Sequence, residues 1–246
     1  MIAQKGIKEV VINGIHVASY GKDLNNNYYL IDLLEDINKI EGIKRIRLGS
    51  LEPNIITEDF VKRLVKLEKI CNHFHLSLQS GCDETLKRMN RKYRTGDFKQ
   101  AVELLRKNFK DVALTADVIV GFPGETEDEF KKTYKFLDEI KFTKIHVFKY
   151  SPREGTIAAK MKEQITANIK EERSKKVIDL SNKYEKDFLE KQIGKTVYVL
   201  FEEQEDKYCK GHTSNYIMVK KEGENLENQI LPVEITDVKQ LQLMGK

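Results

Sequence analysis

In the segment HFHLSLQ (73–79), His73, His75, Ser77 and Gln79 fall on one face of an extended strand, and Phe74, Leu76 and Leu78 fall on the other. Thr115 and Asp117 repeat the pattern in DVALTADVIVG (111–121), as do Arg45 and Arg47 in IKRIRLGS (43–50) and His146 in TKIHVFKYS (143–151). A parallel sheet turns its apolar face to covering helices, and a packed barrel fills its interior with branched apolar side chains. Polar residues in succession at those positions predict a lumen filled by water or ligand. The competing reading, exposed edges of an open sheet, explains one such face easily and several poorly. The chemistry on offer is hydrogen bonding and, for Asp117 with a histidine, acid–base work. His75 and His146 read as hydrogen-bonding wall residues, because no ligand cluster accompanies them.

Small residues follow the same segments: Gly14, Gly49, Gly81 and Gly121. Ligands of α/β sheets bind at the carboxyl ends of strands, where a glycine lets backbone approach closely. A tight turn explains any single one of them equally well. The run GFPGE (121–125) is more unusual, and predicts a rigid turn with the Glu125 carboxylate above the barrel mouth. The three cysteines suggest neither a disulfide framework nor a metal site: Cys71 and Cys82 are eleven apart and Cys209 lies in the tail. Cys82 reads as a small loop residue and Cys71 as a core or helix-end thiol.

Composition bounds the rest. With 246 residues, 40% of them hydrophobic, the chain has enough apolar material for a core, which excludes wholesale disorder. No apolar run approaches the roughly 18 residues of a membrane span. MIAQKGIKEVVING has no long apolar region of a secretion signal. Together these predict a reduced, cytoplasmic protein with no membrane partner. The net charge of +4 does not demand a nucleic acid, but its distribution is uneven. Residues 84–110 hold nine basic and three acidic side chains, and RMNRKYR (88–94) surrounds Tyr93 with Arg88, Arg91, Lys92 and Arg94. That suits phosphate contact with one ring free to stack; a solvated helix end is the blander account. From position 193 on, seven basic and nine acidic residues leave the tail slightly negative.

The elements that must position these residues alternate. Short apolar runs at 8–13, 43–50, 73–80, 111–121 and 143–151 precede helical patterns at 28–40, 58–69, a basic region to about 107, 127–140 and a long helix to 192. Strand followed by helix, five times, predicts parallel βαβ units. Thr57 and Thr126, each followed by acids, predict helix N-termini. Five units are too few for an eight-stranded barrel, so either the sheet is open or strands lie outside this sequence. Starting within a few residues of a strand favours the second. The tail changes period: TVYVLF alternates, and turn signals at Gly211, Gly223 and Asn225 separate further short apolar runs, predicting a small β-barrel or sandwich.

Five blocks in order, VVINGIHVASYG, SLEPN, HFHLSLQSGCDETLKRMNRKY, DVIVGFPGETEDEF and YSPREGTIAAKM, together resemble the tRNA methylthiotransferases of the radical S-adenosylmethionine (SAM) superfamily. Within them the chain is most similar to the branch acting on threonylcarbamoyladenosine beside the anticodon. GHTSNYIMV resembles the signature of the TRAM domain. The resemblance implies an α/β fold, an incomplete (β/α)6 partial barrel with about five units present, followed by a small all-β, OB-like TRAM barrel. It places the barrel with a connecting helix (165–192) in 1–192 and TRAM in 193–246. It implies SAM as cofactor, with Gly14 and the loop through His16 near its methionyl moiety, Ser77 and Gln79 near carboxylate and ribose, Asp117 to Gly121 along the adenine, and Val147 and Phe148 offering backbone contacts. It implies that Arg91, Lys92, Arg94 and Arg153 hold phosphates of a tRNA anticodon stem-loop, and it leaves the sulfur donor open.

One departure matters. The family's [4Fe–4S] cluster hangs on a CxxxCxxC motif absent from this sequence, and a second cluster belongs to an upstream domain also absent from it. The ligands of the clusters are therefore expected elsewhere in an intact enzyme, with no catalytic residue and no metal ligand assigned here, and this polypeptide alone is expected to be inactive. Three alternatives stand beside this one: a methylthiotransferase for a ribosomal protein, a non-catalytic RNA-binding remnant, and a generic (β/α) acid–base enzyme.

Overall fold

The computed structural model describes residues 3–14, 16–23 and 27–246. Five parallel strands alternate with helices: β1 (Glu9–Ile12), α1 (Leu30–Lys39), β2 (Arg45–Leu48), α2 (Glu58–Leu64), β3 (His73–Gln79), α3 (Asp83–Arg88), α4 (Thr95–Asn108), β4 (Ala113–Val120), α5 (Glu127–Ile140), β5 (Lys144–Lys149) and α6 (Ala167–Glu190). Single 3-10 turns at Ala3–Lys5, Val17–Ser19, Pro53–Ile55 and Ala158–Lys160 punctuate the connections. β1 pairs with β2, and β3, β4 and β5 pair in sequence order. Between β2 and β3 the wall is carried by two parallel bridges, Ile46 to Ile70 and Leu51 to Leu76. The result is the run of parallel βαβ units expected from the alternation, arranged as the open partial barrel that the resemblance implies.

The period-two pattern decides which face meets the helices. Phe74, Leu76, Leu78, Ala116, Val118 and Val120 are wholly enclosed and join Leu34, Leu64, Phe98 and Leu137 from the helices in one core. Each such leucine contributes about 1.5–3 kcal/mol by leaving water. The predicted starts hold: Thr57 Oγ1 accepts the Phe60 amide, and Thr126 and Glu129 exchange hydrogen bonds in a capping box at the start of α5. The basic region does not form one helix. It divides into α3 and α4, with RMNRKYR largely in the turn between them.

The tail forms a closed barrel of β6 (Thr196–Glu205), β7 (Tyr208–Thr213), β8 (Met218–Glu222), β9 (Ile230–Lys239) and β10 (Gln242–Gly245), in the order β10-β8-β7-β6-β9. Val199, Phe201, Val219, Val233 and Leu243 fill it. α6 connects the two cores: Val177, Leu180 and Tyr184 pack into the first and Leu189 into the second. Among the described residues no helix is long and apolar enough to cross a membrane.

The C-terminal barrel docks against the amino ends of the parallel strands. Arg45 donates to the carbonyls of His212 (2.7 Å) and Tyr198 (2.8 Å), and Arg47 donates to Ser214 (3.0 Å) and Thr213 (3.3 Å). Both arginines also face Glu9 of β1, at 3.7 and 2.7 Å. This corrects the expectation that they line a ligand-filled lumen. They are buried because a second barrel covers them, and backbone carbonyls satisfy their donors.

Candidate functional site at the carboxyl ends of the strands

Register brings three of the expected residues to one level. Gln79 of β3 pairs with Val118 of β4, which pairs with Val147 of β5; Asp117 pairs with His146 one step below, and Ile119 with Phe148 one step above. Phe148 is 52% exposed, an aromatic ring left uncovered at a strand end. Gln79 has a φ of +67°, beside a register shift between Leu76 and Gln79. A left-handed residue other than glycine at a strand end is strained and re-aims its side chain. Sequence patterning carries no signal for that conformation.

Gly14 and His16 follow β1 at the other side of the wall. Ile15, between them, lies outside the described residues. Gly14 donates its amide to Asn13 Oδ1 at 2.9 Å. His16 Nδ1 stands 4.0 Å from Glu52 Oε1, and Arg91 Nη1 reaches the same oxygen at 4.0 Å. Glu52 thus joins the loops after β1, β2 and α3, a role that nothing in SLEPN signalled. The ends of β1 and β2 approach so closely that a Cβ on Gly49 would stand 2.5 Å from Asn13 Oδ1.

Tyr93 is not free to stack. It is 3% exposed, and its hydroxyl donates to the carbonyls of Ser77 and, at 3.2 Å, Leu78. Burial pushes its hydroxyl pKa up to about 12. The ring therefore braces the end of β3 instead of offering itself to a base. Arg91, Lys92 and Arg94 line one depression of about 480 Å³ together with Asp83, Glu84 and Lys87. Lys92 donates to Asn90 Oδ1 at 2.8 Å, and the Arg94 amide donates to Asp97. Arg153 lies in a different loop, after β5, and is not among the residues lining that depression.

Glu125 also departs from expectation. It is 2% exposed, turned inward onto the Gly121 amide (2.7 Å) and Arg173 (2.7 Å), and presents no carboxylate above the barrel mouth. Burial pushes its carboxyl pKa up, opposed by the Gly121 amide and the Arg173 guanidinium.

Lower in the wall, His73, His75, Thr115 and His146 line a cavity of about 540 Å³, floored by His212 and Tyr216 of the C-terminal barrel. His75 Nδ1 is hydrogen-bonded to Thr115 Oγ1 (2.9 Å) and its Nε2 stands 3.2 Å from Asp117 Oδ2. Both rings of the His75–His146 pair are thus wall groups, 5.5 Å apart and edge to face. His73 is buried against Thr115 (3.2 Å), and its pKa is pushed down to about 3, chiefly by burial. Ser77, Gln79 and Asp117 are not among the residues lining this cavity.

The cysteines do not fit an iron–sulfur cluster. All three are buried; Cys82 Sγ donates to Glu84 Oε2 (2.9 Å) and Cys209 Sγ to Gln204 Oε1 (2.9 Å), in different parts of the fold. No group of three His, Cys, Asp or Glu among the described residues could hold a metal ion.

Comparison with known proteins fits this architecture. The chain is 40% identical over 241 residues, 95% of its length, to the threonylcarbamoyladenosine tRNA methylthiotransferase MtaB of Bacillus subtilis (strain 168), of which it covers 53%. It is 37% identical over 249 residues, 100% of its length, to the tRNA-2-methylthio-N(6)-dimethylallyladenosine synthase of Acetivibrio thermocellus, of which it covers 52%. It thus spans about half the length of these relatives. Among solved structures, the coproporphyrinogen III oxidase HemN of Escherichia coli, described as a radical SAM enzyme, superposes with a TM-score of 0.51 at 20% identity, over 62% of this chain and 36% of that one. This likeness concerns the fold alone. The profile of the radical SAM superfamily matches residues 3–137, more than half of the chain. The parallel wall with its strand-end loops and the extent of that match establish that the chain belongs to the radical SAM superfamily.

Proposed function

We propose that this chain is the SAM-barrel and TRAM part of a tRNA methylthiotransferase, acting on the threonylcarbamoyl-modified adenosine next to the anticodon. The observation that carries the reading is the 40% identity over 95% of the chain to a protein named for that activity. The 37% identity to a dimethylallyladenosine enzyme supports the same reaction class on a neighbouring modification. A division at 192/193 is supported by the two separate cores, with the last turns of α6, through Leu189, packing into the second. Such an enzyme works where transfer RNA is modified, in the cytoplasm.

SAM would lie across the strand ends, with Gly14 and His16 at its methionyl side, Ser77 and Gln79 at carboxylate and ribose, and Asp117, Gly121, Val147 and Phe148 at the adenine. The uncovered Phe148 ring and the strained Gln79 are the structural support for that placement. Bound to a cluster held by other residues, SAM supplies the radical chemistry that an unactivated C–H bond requires. The residues of this chain hold and orient it and hold the RNA. Because the sequence lacks CxxxCxxC, the 246-residue chain by itself is inactive in this reading.

Binding to the anticodon stem-loop tests the reading. The chain binds that hairpin more tightly than a scrambled one, with an affinity that falls as salt rises. Alanine at Arg91, Lys92 and Arg94 together lowers the slope of log K against log salt by up to about 3, roughly one for each phosphate no longer held. Equal affinity for both hairpins counts against anticodon recognition, and an unchanged slope moves the RNA surface elsewhere.

A further inference from the structure

Two residues one turn apart on α6 hold the loops that follow β4 and β5. Arg173 is buried; its Nη1 donates to the Glu125 carboxylate at 2.7 Å and to the Glu125 carbonyl at 3.0 Å. The same carboxylate accepts the Gly121 amide at 2.7 Å, closing a chain from α6 to the end of β4. Lys170 Nζ donates to the Tyr150 carbonyl, just past β5, at 2.9 Å. Its stem fills the space over Gly121, where an added Cβ would stand 2.4 Å from Lys170 Cγ. Gly121 has a φ of +70°, so the turn leaves β4 in a conformation that glycine adopts without strain, under a lysine stem that crowds any added Cβ.

The geometry points to a positioning role for α6: Lys170 and Arg173 set the shape of the 121–125 and 150 loops that form the adenine side of the SAM wall. This rests on the reading of Gly121, Val147 and Phe148 as that wall. Neither residue is assigned a contact with SAM: Arg173 acts by way of the Glu125 carboxylate on the Gly121 amide, and Lys170 acts through its stem over Gly121 and its bond to the Tyr150 carbonyl. The arrangement differs from a generic staple in where its bonds end. Both residues terminate on the carboxyl ends of strands, where a ligand of an α/β sheet binds. They sit near the start of a single helix of 24 residues, about 36 Å long, whose packing against β5 keeps both attachments in register.

Two variants of the 246-residue chain test this. Lys170→Met keeps the apolar stem over Gly121 and removes the donor to Tyr150. Glu125→Gln with Arg173→Met removes the buried charges together and leaves an amide oxygen for the Gly121 amide. Each is followed by thermal melting, by amide hydrogen exchange and by calorimetric titration with SAM. The expected result is a folded protein in which amide exchange at Gly121, Phe122, Gly124, Glu125 and Tyr150 speeds up about tenfold or more, the loss of one charge-assisted hydrogen bond, while exchange in β3 and β7 is unchanged. SAM affinity falls in both variants, and Arg173→Lys recovers part of it. Unchanged exchange at those loops in both variants overturns the inference whether or not SAM binds. Faster local exchange with SAM affinity equal to that of the parent overturns it as well, since a merely structural brace predicts that. If the parent chain itself gives no heat with SAM, the assignment of the SAM wall fails and the inference falls with it, whatever the exchange at the loops shows.

Discussion

Arg47 of β2 and Tyr216 of the C-terminal barrel form a cation–π pair, with the guanidinium carbon 4.5 Å from the ring centre. The Tyr216 ring also stacks on His212, at 4.5 Å and 15°. Arg47 simultaneously binds Glu9 of β1 and two barrel carbonyls. One side chain therefore ties the first strand of the parallel wall, its neighbour and the second barrel together. The barrel is part of the wall's support as well as an appendage to it.

Replacing Arg47 by methionine leaves Glu9 facing Arg45 alone and removes the donors to the Thr213 and Ser214 carbonyls. Breaking a buried pair from one side costs about 3–5 kcal/mol. Urea melts of Arg47→Met are expected to show a destabilisation of that size, and Tyr216→Leu a smaller one of about 0.5–2 kcal/mol from the missing cation–π attraction. A double-mutant cycle yields a coupling between them. Strict additivity would show that the two barrels are held by other interactions.

His73 predicts a pH dependence of stability. Its folded pKa is lowered to about 3, so the folded state refuses a proton that the unfolded state accepts near 6.5. Stability from this residue is therefore full above the unfolded pKa and is lost as pH falls from about 6.5 towards 3, at roughly 1.4 kcal/mol per pH unit. His73→Gln removes that part of the slope. Denaturant midpoints measured between pH 7 and 4 check it; parallel lines for parent and variant would place the acid sensitivity in other groups.

Tyr93→Phe separates bracing from RNA binding. The ring is buried, and the substitution removes only the hydroxyl bonds to Ser77 and Leu78. A cost of about 1–2 kcal/mol follows from one buried hydrogen bond with an acceptor left unpaired. SAM affinity is expected to drop, because the end of β3 loosens, while affinity for the hairpin is unchanged. A variant with weakened RNA affinity and full stability would return Tyr93 to the role of a stacking ring.

Features that depend on near neighbours along the chain were legible before any fold was known. The alternation of His73, Phe74, His75 and Leu76 follows from strand geometry, and the starts at Thr57 and Thr126 from unsatisfied amides in a first helical turn. The five strand–helix units and the change to a small barrel were readable for the same reason. The partner of each polar group, by contrast, emerged only from the folded arrangement. Arg45 and Arg47 satisfy the pattern of a polar wall, yet residues about 150 to 170 positions away bury them. Tyr93 sits in a basic run that reads as a solvated surface, yet turns inward, where its ring is buried and its hydroxyl meets two carbonyls at the end of β3. Glu125 follows a turn that reads as open, and is claimed by Arg173 from a helix 48 residues on. A buried polar atom must find its complement wherever the fold provides one, and that complement is set by distance in space, which periodicity along the chain does not encode.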